Sequence, residues 1–186
     1  MIQDYNAFDP EARKLYWEQT KRGLFDRGVK AFWCDSSEPF APEWVEREPE
    51  AGTMYDEYVR TSAKFIPRDK LNAYALVHAQ TIYDGMRGET EDYRVCNLTR
   101  SAHTGSQRYG TILWSGDISA KWDTLRKQIP AGLNFCASGL PFWTLDIGAF
   151  FVKQGTQWFW NGDYDDPDKD LGFRELYTRW FQLGAF

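Results

Sequence analysis

Three short apolar runs in this chain end on the same kind of turn, and that repetition limits the possible folds more than any other feature. Val29–Cys34 breaks at once into a polar turn carrying Asp35 and Glu38, and Pro39 stops regular continuation. Leu113–Asp117 (LWSGD) and Phe142–Asp146 (FWTLD) behave alike, and in all three a Trp precedes the Asp by two or three residues. A buried parallel strand reads this way when its C-terminal tip presents a carboxylate to a cleft. Open α/β sheets and barrels hold their chemistry at that end of the strands.

The segments between the tips read as helices. Asp9-Pro10-Glu11 is a helix start, with Asp as N-cap, Pro at the first helical position and an acid in the first turn. That helix is expected to reach about Asp26 with Ala12, Leu15 and Tyr16 on its buried stripe, and Gly28 ends it. Leu71, Ala75, Ala79, Ile82, Tyr83 and Met86 predict an amphipathic helix over Asp69–Arg87 with Gly88 as its C′ residue. His78, one position off that stripe, reads as a packing residue rather than a ligand. Tyr93–Thr99 and Gly110–Trp114 read as strands, separated by a polar Gly- and Ser-containing loop. After Asp117, Ser119 can cap a helix with Trp122, Leu125, Ile129, Leu133 and Cys136 on its stripe, kinked or split at Pro130 and closed by Gly139. Leu140–Asp146 is a further strand, and Phe173, Leu176, Tyr177, Trp180 and Phe181 mark a last helix. Residues 41–67 form a long acidic connection, read as a loop insertion that either overhangs the strand tips or is simply solvated. Residues 152–170 read as a surface excursion.

Composition excludes several classes. A net charge of −5 without a basic run lacks the footprint of nucleic-acid binding, and no apolar run approaches a membrane span. No secretory signal is visible at the start of the sequence. Cys34, Cys96 and Cys136 show no paired spacing and read as buried free thiols; these favour a reducing compartment, with a periplasmic parent as the open alternative, so localisation is left unassigned. Two histidines far apart give no basis for a metal site, and no cofactor is expected. The aromatic content of 17% is high. Ring faces cover the C–H face of a sugar, so such richness suits a carbohydrate cleft, although any single Trp is better explained as a core residue.

Helix–strand alternation without a fixed repeat or a Gly-rich phosphate loop makes this an α/β chain. Four strands do not close a barrel, and a barrel domain needs roughly 250 residues. The chain is therefore expected to be a piece of a larger barrel. FWCDSSEP, LTRSAHTGSQRYGTILWSGD and GLPFWTLDIGAFF, in that order, resemble the middle of a family-31 glycoside hydrolase from about Asp9 to Phe186. Together they are specific; any one alone is not. The resemblance implies a partial (β/α)8 TIM barrel, approximately strands 4 to 7 with their helices, in which residues 1–186 form part of a single catalytic domain.

Carried across by position, the resemblance makes Asp35 the nucleophile and Asp117 the acid/base, with Glu38 as the supporting acid of the first motif. Arg100 and Asp146 resemble contacts to sugar hydroxyls, and Trp33, Trp114 and Phe150 resemble walls of the subsite for the non-reducing sugar. Ala149 stands where a second Gly is common in the family, and His103-Thr104 where bulkier apolar residues often occur. The implied activity is retaining hydrolysis of an α-linked sugar from a glycoside or oligosaccharide, closer in wording to α-xylosidases, with an α-glucosidase or α-transglucosylase as the alternative. Such chemistry needs one carboxyl group as acid and a second as nucleophile, in environments that separate their pKa values. Read singly, an aspartate such as Asp117 is better explained as part of a salt bridge or capping turn, Glu38 as a turn-holding acid, and Arg108, the alternative for which is a second substrate contact, as half of an ion pair. A non-catalytic carbohydrate-binding module would need stacking faces but no acid pair. The remaining barrel, flanking β domains and self-association through exposed sheet edges are the expected partners, and the piece alone is expected to be inactive.

Overall fold

The computed structural model describes residues 5–38, 50 and 52–186. These form two compact units, one of residues 5–38 and 52–113, the other of Glu50 with residues 114–186.

In the first unit, α1 (Pro10–Gly23) starts as the sequence predicts: Asp9 accepts a hydrogen bond from the Glu11 backbone N–H at 3.0 Å, a cap worth about 1 kcal/mol. The helix ends earlier than expected, and a single 3-10 turn, Phe25–Arg27, leads to Gly28 at φ 101°. Its buried side chain is Trp17, whereas Leu15 is exposed, so the packing stripe is rotated from the one expected. Contact with α3 (Tyr74–Glu89) sets that rotation. A Cβ on Gly85 would lie 2.1 Å from the Trp17 indole, so only glycine admits the ring. Arg13 adds bonds to Thr81 at 3.0 Å and to Asp84 at 2.8 Å.

The expected helix over Asp69–Arg87 divides into a 3-10 segment, Arg68–Ala73, and α3, which runs through Gly88; Gly88 is therefore not its terminating residue. His78 is buried on α3, as its reading as a packing residue requires. Within the acidic stretch 41–67 lies α2 (Thr53–Ser62), a helix missed because its flanking residues are so polar. Val59 and Ser62 are buried on it, and Ile66, which follows, joins them with Leu71 and Tyr74. Residues 39–49 and 51 lie outside the described residues.

Three strands, β1 (Phe32–Cys34), β2 (Asn97–Thr99) and β3 (Thr111–Trp114), pair in parallel in that order. All are shorter than the apolar runs that predicted them. The register aligns Phe32 with Asn97 and Thr111, Trp33 with Leu98 and Ile112, and Cys34 with Thr99 and Leu113. Alternation then separates the two faces. Phe32 and Cys34 pack with Trp17, Ile82 and Met86 of the helices, while Trp33, Leu98 and Ile112 project from the opposite face. Val29, expected inside the first strand, is exposed ahead of it. The stretch 100–110 includes a 3-10 turn, Ser106–Tyr109, and Arg108 lies over the neighbouring Tyr109 ring at 5.9 Å rather than in the expected ion pair.

The second unit holds α4 (Trp122–Ala137), β4 (Trp143–Thr144) and α5 (Leu171–Gly184). Ser119 does not cap α4. Lys121 occupies the N-cap without a side-chain bond, and Ser119 instead lies in a bridge to Phe151 and donates to Asn161 at 2.6 Å. The helix continues through Pro130 and ends in a Schellman motif: Leu140 N–H donates to Phe135 O at 2.9 Å and Gly139, at φ 81°, donates to Cys136 O. Leu125, Gln128 and Gly132 are its buried residues, while Trp122, Ile129, Leu133 and Cys136 are exposed, the reverse of most of the expected stripe. Ile129, Leu133 and Cys136 line an open groove of 510 Å³ with Trp143, Leu183 and Phe186. On α5, Phe173, Leu176 and Trp180 are buried as predicted, but Tyr177 and Phe181 are exposed. Asp170 caps that helix through the N–H groups of Gly172 and Phe173. Of the three thiols, all free, only Cys34 is buried as expected.

Candidate active site

The first cluster forms where β1 and β2 end. Asp35 follows the last residue of β1 with its side chain 61% exposed. Trp33, two residues earlier on the same strand, is 65% exposed. The chain turns at Ser36, which sits at φ 48°, in the left-handed region that costs a non-glycine residue about 1–3 kcal/mol. Its N–H donates back to Asp35 Oδ1 at 2.7 Å. Such local strain persists only where surrounding contacts over-determine the backbone.

Those contacts come from Arg100, the residue after β2. Its Nη1 lies 3.2 Å from Asp35 Oδ1, its Nε donates to Glu38 Oε1 at 2.8 Å, and its Nη2 bonds both Glu38 Oε1 and, at 3.1 Å, Ser36 Oγ. One planar fork thus holds two carboxylates and the hydroxyl between them, a use for which guanidinium is suited and ammonium is not. Two acids three residues apart would repel one another, and the shared cation offsets that repulsion. Beneath the fork, Ser37 Oγ accepts from Thr99 Oγ1 at 2.5 Å and from the N–H groups of Arg100 and Ser101, each at 3.1 Å. Sequence reading singled out Asp35, Glu38 and Arg100 but passed over Ser36, Ser37, Thr99 and Ser101. Their signal was hydroxyl residues placed directly between or beside the charged ones at two strand ends.

The second unit arranges its own candidates on paired segments. Trp114, only 3% exposed, closes β3; Gly116 at φ 75° then turns the chain into the half-buried Asp117. Ile118 O accepts from the N–H groups of Phe150 and Phe151 at 2.9 and 3.0 Å, and Ala120 N–H donates to Phe151 O at 2.9 Å. The backbone after Asp117 is therefore stitched to the segment carrying Phe150, which is exposed. Asp146, half-buried, follows β4 and opens a turn closed by the Ala149 N–H at 3.0 Å. Gly148 stands at φ 84° in that turn, and Ala149 after it takes φ 69°. So Asp117, Asp146 and Phe150 share one hydrogen-bonded substructure. Phe150 and Phe151 begin an aromatic cluster continued by Phe159 and Trp160 in the excursion 152–170.

Carboxylates just past the C-terminal ends of β1, β3 and β4, in the order of the three motifs, match a known pattern. The model of the Glycosyl hydrolases family 31 TIM-barrel domain matches residues 2–186. The chain belongs to glycoside hydrolase family 31. Its four strands and their helices are accordingly part of that family's TIM barrel. Among family-31 relatives, an α-xylosidase of Saccharolobus solfataricus is 38% identical over 98% of this chain and 22% of its own length. Neutral α-glucosidase AB of Dictyostelium discoideum is 32% identical over 96% of this chain and 17% of its own. The crystal structure of the family-31 α-xylosidase from Xanthomonas citri superposes with a TM-score of 0.76 at 34% identity, covering 97% of this chain and 18% of that one. The chain thus spans about a fifth of the length of these family-31 proteins.

Proposed function

We propose that the protein is a retaining α-glycoside hydrolase of the α-xylosidase kind, removing a non-reducing-end α-linked sugar by double displacement. Asp35 attacks the anomeric carbon and Asp117 protonates the departing oxygen. Asp117 then takes a proton from the water that releases the glycosyl-enzyme. Glu38 holds the turn and orients Arg100, while Arg100 and Asp146 meet sugar hydroxyls. Trp33, Trp114 and Phe150 wall the subsite.

The observation that carries this reading is the Arg100 guanidinium 3.2 Å from a carboxylate that stays largely exposed. A nucleophilic carboxylate must be both reachable and held in place; its exposure supplies the first condition and the guanidinium contact the second. The names of the α-xylosidase relatives support the sugar class. Neutral α-glucosidase AB favours the second reading, an α-glucosidase or α-transglucosylase on the same scaffold. Asp35→Ala and Asp117→Ala in the full-length parent, assayed on aryl α-xylosides and α-glucosides, test both roles and the sugar. Each should lower turnover by at least 10²–10⁴-fold, and the first-formed product should keep the α configuration. Full activity of either variant, or an inverted product, refutes the assignment. The 186-residue chain alone is expected to turn over negligibly and to self-associate through unpaired strand edges; a monodisperse monomer in light scattering would oppose the latter.

A further inference from the structure

Ser37 stands between the two acids of the first motif, yet its side chain points away from solvent and is 1% exposed. Its oxygen receives three donors: the Thr99 hydroxyl at 2.5 Å and the Arg100 and Ser101 N–H groups at 3.1 Å. Ser101 Oγ lies 3.2 Å away, and either of these two hydroxyls can donate to the other. All three donating residues belong to the end of β2, whereas Ser37 belongs to the turn after β1. One hydroxyl therefore ties the two strand ends together and fixes the backbone from which Arg100 reaches out. On the other side of Ser37, Ser36 is held at φ 48°, a conformation that needs an anchor on both flanks.

We propose that Ser37 is a positioning residue: its buried hydroxyl holds the Arg100 backbone so that the guanidinium meets Asp35 and Glu38 together. This rests on Asp35 being the nucleophile. Alanine at position 37 removes the acceptor of three donors and frees the β2 end to move relative to the turn. The guanidinium then loses its bridging geometry, and Asp35 loses the partner that holds its carboxylate in place.

The test uses the full-length parent with an aryl α-xyloside, and rates are normalised to folded protein. Ser37→Ala should lower kcat/KM on the order of a hundredfold, the scale of an ångström-sized misplacement. The loss should fall on kcat more than on KM, because the bond-forming geometry at Asp35 is what changes. Arg100→Ala should lower kcat/KM at least as far, and the double variant should be no worse than Arg100→Ala alone, because both act through one contact. If Ser37→Ala does not fold, Thr99→Val, which deletes one donor and keeps the side-chain shape, should lower normalised kcat to a smaller extent. Variants that melt earlier but keep the wild-type normalised kcat/KM, or a double variant that shows the two single effects in full, would overturn the proposal, reducing Ser37 to a structural bond. An active Asp35→Ala variant would instead remove the nucleophile assignment itself, so the two failures are distinguishable.

Discussion

Replacing His78 with phenylalanine should make the protein less sensitive to acid. The imidazole lies buried among Tyr5, Tyr16 and Tyr74; it stacks on Tyr74 and shares a 2.8 Å hydrogen bond between its Nδ1 and the Tyr5 hydroxyl. Burial pushes the Tyr5 phenol up, and the Tyr16 phenol up to about 12, so both remain neutral while His78 titrates. Burial also pushes the His78 pKa down from 6.5 to about 4. Each tenfold change in proton affinity is worth about 1.4 kcal/mol, so charging His78 in the folded chain costs about 3 kcal/mol more than in the unfolded one. Between pH 6.5 and about 4 the unfolded chain binds the extra proton. Stability from this residue is therefore complete above the upper value and is lost as pH falls through the window. At pH 4.5 the loss is about 2.5 kcal/mol. Denaturation of the protein and its His78→Phe variant should be compared at pH 7.5 and 4.5. Loss of the Tyr5 bond costs the variant equally at both, and carboxylate titrations elsewhere cancel, so the wild-type advantage should shrink by about that amount on acidification. An unchanged difference, or an imidazole C2–H exchange profile for His78 with its inflection near 6.5, would refute the burial argument.

Two backbone predictions complement it. Gly110, at φ 66°, has no room for a side chain: a Cβ would lie 2.3 Å from Val95 O, and its own carbonyl accepts from Asn97 N–H at 3.0 Å. Gly110→Ala should cost about 2–4 kcal/mol, from left-handed strain and displaced backbone, read as a lower denaturation midpoint; an unchanged midpoint would contradict the contact. Ala149 stands at φ 69°, where alanine pays about 1–2 kcal/mol that glycine does not. Glycine gives back about 0.4–1 kcal/mol through its freer unfolded state, so Ala149→Gly should stabilise by up to about 1 kcal/mol. A clear loss of stability would show that packing, not backbone strain, decides at that position.

The elements most legible in the sequence were those whose signals are local. Asp9-Pro10-Glu11 starts α1 because its cap needs only neighbouring N–H groups, and Gly139 ends α4 because a left-handed residue is cheapest as glycine. The three aromatic-then-acid tips were legible because strands ending at a cleft must change character abruptly. Burial phase was less legible. Leu15 lost its place to Trp17 because Gly85 opens a slot for the larger ring. Ile129 and Leu133 face a groove rather than the packed cluster around Trp180. Apolar periodicity says that a helix has an oily side, but not which partner covers it. At the site, the acids and Arg100 were found by residue type and motif order, whereas Ser37 and Thr99 were not. A hydroxyl's importance depends on how many donors converge on it, and that number is a property of strand register.

The shared guanidinium also constrains how such a protein can diversify. Because Arg100 serves Asp35 and Glu38 at once, neither carboxylate can be exchanged without dislodging the charge that the other depends on. Variation at this strand end must therefore come in concert, the three residues replaced as a set or kept as one.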